Sequence, residues 1–155
     1  MPTKTARVIQ LQGITFAGTA DSNHWVVMDG PKDFGGQAAA TRPKELVLLG
    51  LAGCTASDVA SIMKKKRAPL DRLEINVTAE EREEHPRIYT HVHLEYVCHG
   101  DGLKPGDIER AIELSEESYC AVGAMLKPTV VITHSYRLVP AVAAVASQGA
   151  SCPKC

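Results

Sequence analysis

Arg42 to Arg67, RPKELVLLGLAGCTASDVASIMKKKR, is long and mostly apolar and carries Cys54 near its middle. Local physics makes it a helix. Pro43 suits a first turn, where its missing N–H is not needed, and Thr41 stands where a cap is expected. Leu, Ala and Met fill the interior, no further proline follows until Pro69, and Lys64 to Arg67 sit at the negative end of the dipole. Gly50 and Gly53 each cost helix propensity, roughly 1 kcal/mol, which suggests close approach of another backbone. At ~100° per residue, Gly50, Cys54, Ser57, Asp58 and Ser61 share one stripe, and Leu48, Leu49, Ala52, Val59 and Met63 fall largely on the other side. Cys54 therefore lies on a small, polar stripe of an otherwise apolar helix. Such a stripe suits a site wall or a tight helix crossing, although a free cysteine is more often a small buried hydrophobe.

Outward from this helix, 155 residues make about one domain. The 45% hydrophobic and 23% charged content is that of a soluble globular chain, and with 5% aromatics the core must be aliphatic. A net charge of −1 leaves no electrostatic footprint for nucleic acid. Met1 to Gln10 has no uninterrupted apolar region, so no secretory leader is expected there. The central helix raises a membrane question by its apolarity. Asp58, its hydroxyl residues and its amphipathic neighbours favour a soluble core helix, and no membrane partner is expected. Five cysteines without a secretory signal point to a reducing, cytoplasmic setting, where they are catalytic, metal-binding or inert rather than a disulfide framework.

Ala6 to Ala20 alternates as strands around a turn at Gly13, and His24 to Asp29 continues a β-meander. Gly30 to Ala40 is a glycine-rich loop into the helix. Beyond Ala68-Pro69, Arg72 to Glu84 and Arg87 to Cys98 alternate about a His85-Pro86 turn as a long hairpin, with Leu73, Ile75 and Val77 inward. Pro105 opens a second, amphipathic helix through Ile108, Ala111, Ile112, Ser115, Tyr119, Val122 and Met125. Thr129 to Val139 is a last strand. The order β-β-β-α-β-β-α-β predicts an α+β fold with antiparallel sheets. One small sheet cannot cover a helix that is apolar nearly all round, so a homodimer whose sheets wrap both central helices is expected. Residues 1–139 form the expected domain, and 140–155, ending CPKC, a flexible tail.

The segment PKELVLLGLAGCTASDV resembles the central-helix signature of the OsmC/Ohr family of organic hydroperoxide-reducing proteins, with Pro43 and Cys54 at the family's interval. SEESYCAVGAML places Cys120 late in the second helix, like the family's second cysteine. The resemblance spans roughly residues 6–139 and is nearest to divergent members described only as OsmC-like. It implies a thiol-dependent peroxidase acting through Cys54 and Cys120, with no cofactor. Cys54 as thiolate attacks the peroxide and becomes a sulfenic acid. Cys120 then condenses with it to a disulfide, and a dithiol or protein-bound lipoyl group restores both. This chemistry needs a cation or hydrogen-bond donor beside Cys54 and Cα atoms within ~7 Å.

The chain departs from the family pattern at the activating pair, an arginine from the N-terminal strands and a glutamate directly after the proline. Lys44 follows Pro43, and Glu45 comes one place later, about 180° from Cys54 on the helix. Between Gly18 and Trp25 there is no arginine; Arg42, Arg7 and Lys44 are the substitutes at hand. Asp58 shares the face of Cys54, and an unpaired carboxylate raises a thiol pKa. Ala121-Val122-Gly123 follows Cys120 where the peroxidases commonly have proline and then serine.

Other groupings are weaker. His91 and His93 share one strand face, near Cys98 and His99, and are more simply an exposed polar face than metal ligands. Cys152 and Cys155 form a single CxxC without a second ligand pair. Besides the peroxidase, two readings stay open: a non-catalytic module holding a small apolar ligand or acyl group, and a metal- or thiol-handling protein using the histidine strand and the CPKC end.

Overall fold

The computed structural model describes residues 1–141; the CPKC end, and with it nearly all of the expected tail, lies outside the described residues. The chain divides into two compact units, Met1–Gly50 and the part from Leu51 onward.

The first unit is the expected meander. β1 (Ala6–Gln12), β2 (Thr15–Ala20) and β3 (Trp25–Met28) pair antiparallel in that order. Gly13, at φ +55°, makes the first turn, a conformation that favours glycine. The loop after β3 is organised by Asp29, 1% exposed, whose carboxylate accepts from the backbone N–H groups of Gly30, Gln37 and Ala39 and from the Thr15 hydroxyl, at 2.7 to 3.1 Å. A Cβ at Gly36 would run into the Gly30 carbonyl, so the loop closes only around a glycine there. Val8, Leu11, Trp25, Val26 and Val27 are exposed.

Helix α1 (Pro43–Lys65) begins in the first unit and continues into the second. At its opening Thr41 forms a parallel bridge with Met28, and the Glu45 carboxylate reaches back to the Arg42 backbone N–H at 3.0 Å. That is one half of a capping box. From Leu51 on, one stripe is buried at four-residue spacing: Leu51, Thr55, Val59 and Met63, each at 2% exposure or less. Leu49, on the side of the helix opposite Cys54, is 59% exposed. A Cβ at Gly50 or Gly53 would meet nothing within 4 Å among the described residues, so no backbone crosses there within one chain. The physical reason is coverage: one three-stranded sheet masks one stripe of a helix, not its circumference. By length and composition alone α1 is apolar enough to cross a membrane.

The second sheet has the order β4 (Arg72–Glu81), β5 (Tyr89–His99), β6 (Val131–Val139). The β4–β5 hairpin is as expected, with Leu73 opposite Cys98, Ile75 opposite Tyr96 and Val77 opposite Leu94. Val92, Leu94, Tyr96 and Cys98, at 1% exposure or less, turn one face of β5 into the core. β6 corrects the expectation of purely antiparallel sheets, because it runs parallel to β5, from His91 opposite Val131 to His99 opposite Val139. A hairpin returns antiparallel; the helical crossover between β5 and β6 brings the chain back to the starting end of β5.

The second helix is also corrected. α2 (Pro105–Leu114) gives way to a π-helical turn over Ser115–Tyr119. Cys120 then leaves helical geometry at φ −72°, ψ 95°, and a short α3 (Ala121–Leu126) begins. Cys120 is thus the N-cap of α3, not a residue within a continuous helix.

Candidate functional site

The break at Cys120 decides where its sulfur goes. The π turn closes with the Cys120 N–H donating to the Ser115 carbonyl at 2.8 Å, a geometry frequent at functional sites. As a cap, the Cys120 Sγ accepts from the Gly123 N–H at 3.3 Å. From α1, Cys54 and Asp58 stand one turn apart, both half-buried. The two sulfurs and a carboxylate oxygen of Asp58 all lie within 4.8 Å of one another. Cys54 and Cys120, distant in sequence, are therefore neighbours, and both are free thiols.

Beneath this cluster runs a chain of hydroxyls. Tyr96 Oη, on β5, lies 2.6 Å from Thr55 Oγ1. Thr55 Oγ1 lies 3.0 Å from Ser115 Oγ, and Ser115 Oγ donates to Asp58 Oδ2 at 2.9 Å. Each hydroxyl has one proton. With Asp58 a carboxylate, Ser115 uses its proton there, so Thr55 must donate to Ser115 and Tyr96 to Thr55. The chain is polarised toward Asp58, and all three hydroxyl residues are 2% exposed or less.

The electrostatics follow from burial. The Cys120 thiol is pushed up to about 11, chiefly by burial, with Cys54 and Asp58 adding to the rise and the Gly123 N–H opposing it. Burial likewise pushes Cys98 to about 11 and Tyr96 to about 12, in the latter case against the Thr55 hydrogen bond. A groove of about 260 Å³ opens on Asp58, lined also by Ser61, Ile62, Lys65, Leu114 and Tyr119.

Sequence reasoning placed Cys54, Asp58 and Cys120 in play but missed Thr55, Ser115 and Tyr96. The available signal was a hydroxyl at Ser115 within the apolar spacing of the second helix. Of the substitutes considered for the activating pair, Arg42 pairs with Glu45 at 3.9 Å. His91 and His93 hydrogen-bond to Thr133 and Ser135 at 2.9 Å across the β5–β6 pair, as a satisfied polar face.

The family model for OsmC-like protein matches residues 35–135. The chain is 43% identical over 136 residues to Protein YhfA of Escherichia coli (strain K12), covering 88% of this chain and 98% of that protein. A hypothetical protein from Aquifex aeolicus VF5 superposes with a TM-score of 0.80 at 28% identity, over 92% of this chain and 100% of that one. An organic hydroperoxide resistance protein OsmC from Legionella pneumophila shares the fold, with a TM-score of 0.63 at 17% identity over 88% and 97% of the two chains. By the family match and by the identity to YhfA, this chain belongs to the OsmC-like family.

Proposed function

We propose that the protein is a thiol-dependent peroxidase that reduces organic hydroperoxides through Cys54 and Cys120, in defence against oxidative stress. Its support is one distance: two thiols from separate elements lie within 4.8 Å of each other, close enough for small side-chain motions to bring the sulfurs into bonding contact. Cys54, the less buried thiol, is the attacking sulfur. As thiolate it takes the outer peroxide oxygen, the O–O bond breaks, and the alkoxide leaves with a proton as alcohol. The Cys120 sulfur then bonds to the sulfenic sulfur, and its proton leaves with the hydroxyl as water. A dithiol, such as a lipoyl group, exchanges with the disulfide and returns both thiols. Ile62, Leu114 and the Tyr119 ring give the groove beside Asp58 apolar surface for an alkyl chain, which favours an alkyl hydroperoxide over hydrogen peroxide.

A second copy of the chain completes this picture. Leu49, Trp25, Val26 and Val27 are 41 to 59% exposed in one chain, and the Gly50–Gly53 face of α1 is open, which suits a homodimer. In this reading residues 1–139 act as one OsmC-like domain in a reducing, cytoplasmic setting. The experiment is turnover of an alkyl hydroperoxide with a dithiol reductant, in wild type, Cys54→Ser and Cys120→Ser, with light scattering for the dimer. Loss in both variants and weak activity on hydrogen peroxide are expected.

A non-catalytic module for a small apolar ligand or acyl group is the second reading. It is favoured by the Cys120 thiol at about 11, which leaves that sulfur protonated at neutral pH. No turnover by the reduced wild type would select it.

A further inference from the structure

We propose that Cys54, Cys120 and Asp58 form a binding site for a thiophilic divalent cation of the Zn²⁺ class, independent of whether the thiols turn over peroxide. Three ligand atoms of two kinds converge within 4.8 Å. A tetrahedral zinc ion with Zn–S near 2.3 Å and Zn–O near 2.0–2.2 Å holds its ligands about 3.5–3.8 Å apart. Shifts of about an ångström or less therefore close the cluster on an ion.

The surroundings suit a cation. The Tyr96–Thr55–Ser115 chain ends by donating to Asp58 Oδ2 at 2.9 Å. Hydrogen bonding of this kind orients a ligating carboxylate and is the outer support metal ligands usually have. Asp58 and Cys54 are half-buried, so two of the three ligands meet solvent, and a groove that carries Lys65 opens on Asp58. The same carboxylate that disfavours a lone thiolate favours two thiolates once a divalent ion sits among them. Binding is written in balance: the ion, two thiols and one carboxylate give a complex of net charge −1 and two released protons. A bound ion occupies both sulfurs, so it excludes disulfide formation and attack on peroxide while it stays.

The test uses the full chain in its reduced form with Cys152→Ser/Cys155→Ser, so that the CxxC cannot answer for the cluster. Co²⁺ is the probe. One equivalent per chain is expected, with thiolate-to-cobalt charge-transfer bands, and release of about two protons per ion by calorimetry in buffers of different ionisation enthalpy. Cys54→Ser and Cys120→Ser should each abolish the bands, Asp58→Asn should weaken binding at least about tenfold, and His91→Ala/His93→Ala should change nothing. In the same background without further substitution, Zn²⁺ should protect Cys54 and Cys120 from alkylation, a readout that no folding defect of a variant can mimic. Absent charge-transfer bands, binding that survives both cysteine substitutions, or alkylation unchanged by Zn²⁺ would overturn the site. Hydroperoxide turnover is measured separately in chelator: its absence leaves the cobalt result standing, and absent cobalt bands leave turnover standing.

Discussion

Two carboxylates organise two regions of this protein in opposite ways. Asp29, in the first unit, is 1% exposed and gathers three backbone N–H groups and a hydroxyl. Asp58, in the second, is half-buried, takes one hydroxyl, and lies within 4.8 Å of two thiols. The first has its acceptor capacity filled and holds a loop together. The second has capacity left beside two free thiols. Satisfaction, not residue type, separates a carboxylate that holds a loop from one with acceptor capacity to spare.

The comparison breaks most directly at the thiols. Cys54→Ser and Cys120→Ser should each lower hydroperoxide turnover on the order of 10³-fold, with melting temperature nearly unchanged for the half-buried Cys54. Asp29→Ala should do the reverse: it orphans the N–H groups of Gly30, Gln37 and Ala39, so thermal stability falls while the chemistry of the second unit persists. Retained turnover in both cysteine variants would leave the cluster without a catalytic role.

Acid sharpens the contrast. The Ala39 backbone N–H, with those of Gly30 and Gln37, holds the Asp29 carboxyl below its ordinary 3.8. A lowered folded-state value contributes stability that is fully present above 3.8 and is lost as pH falls through the folded-state value. The first unit should therefore keep its stability down to about pH 4 and lose it below; Asp29→Asn should flatten that dependence. An acid transition as steep in Asp29→Asn as in wild type would assign it to other carboxylates.

The fold was legible where periodicity speaks. Two-residue alternation marked β1, β2, β4 and β5, and the apolar run from Pro43 marked α1. Alternation is the same in parallel and antiparallel strands, so the direction of β6 was not readable; the crossover decides it. The π turn was hidden because Ser115 to Cys120 contains neither proline nor glycine, and helical spacing reads straight through. Both cysteines stood out by type. The hydroxyl chain did not, because Tyr96, Thr55 and Ser115 look like core positions until three elements bring them together.

Asp58→Asn tests the electrostatic half of the comparison. Burial is the first cause of the raised Cys120 value and the Asp58 charge a lesser one. Removing the charge should lower that value from about 11 without returning it to the ordinary 9.0. Alkylation of Cys120 at pH 8 should then quicken by a few-fold, since the rate follows the thiolate fraction. No change would mean that the Ser115 hydroxyl already screens the carboxylate from the sulfur.

The smallest effect is expected at Gly123, where two terms nearly cancel. Alanine is the better helix former by about 1 kcal/mol. Its Cβ would stand 3.3 Å from the Cys120 Sγ, 3.6 Å from the Cys120 Cβ and 3.8 Å from Leu51 Cδ1. The sulfur must then give by a few tenths of an ångström, lengthening its 3.3 Å bond to the Gly123 N–H. Gly123→Ala should therefore change stability by less than about 1 kcal/mol, measured by urea unfolding, while changing the rate at which Cys54 and Cys120 close to a disulfide. A loss well beyond that figure would show that the cap holds the sulfur rigidly, with Leu51 as the wall behind it. A gain would show that the sulfur moves freely, and that closure to a disulfide is limited by Cys54 and not by the cap.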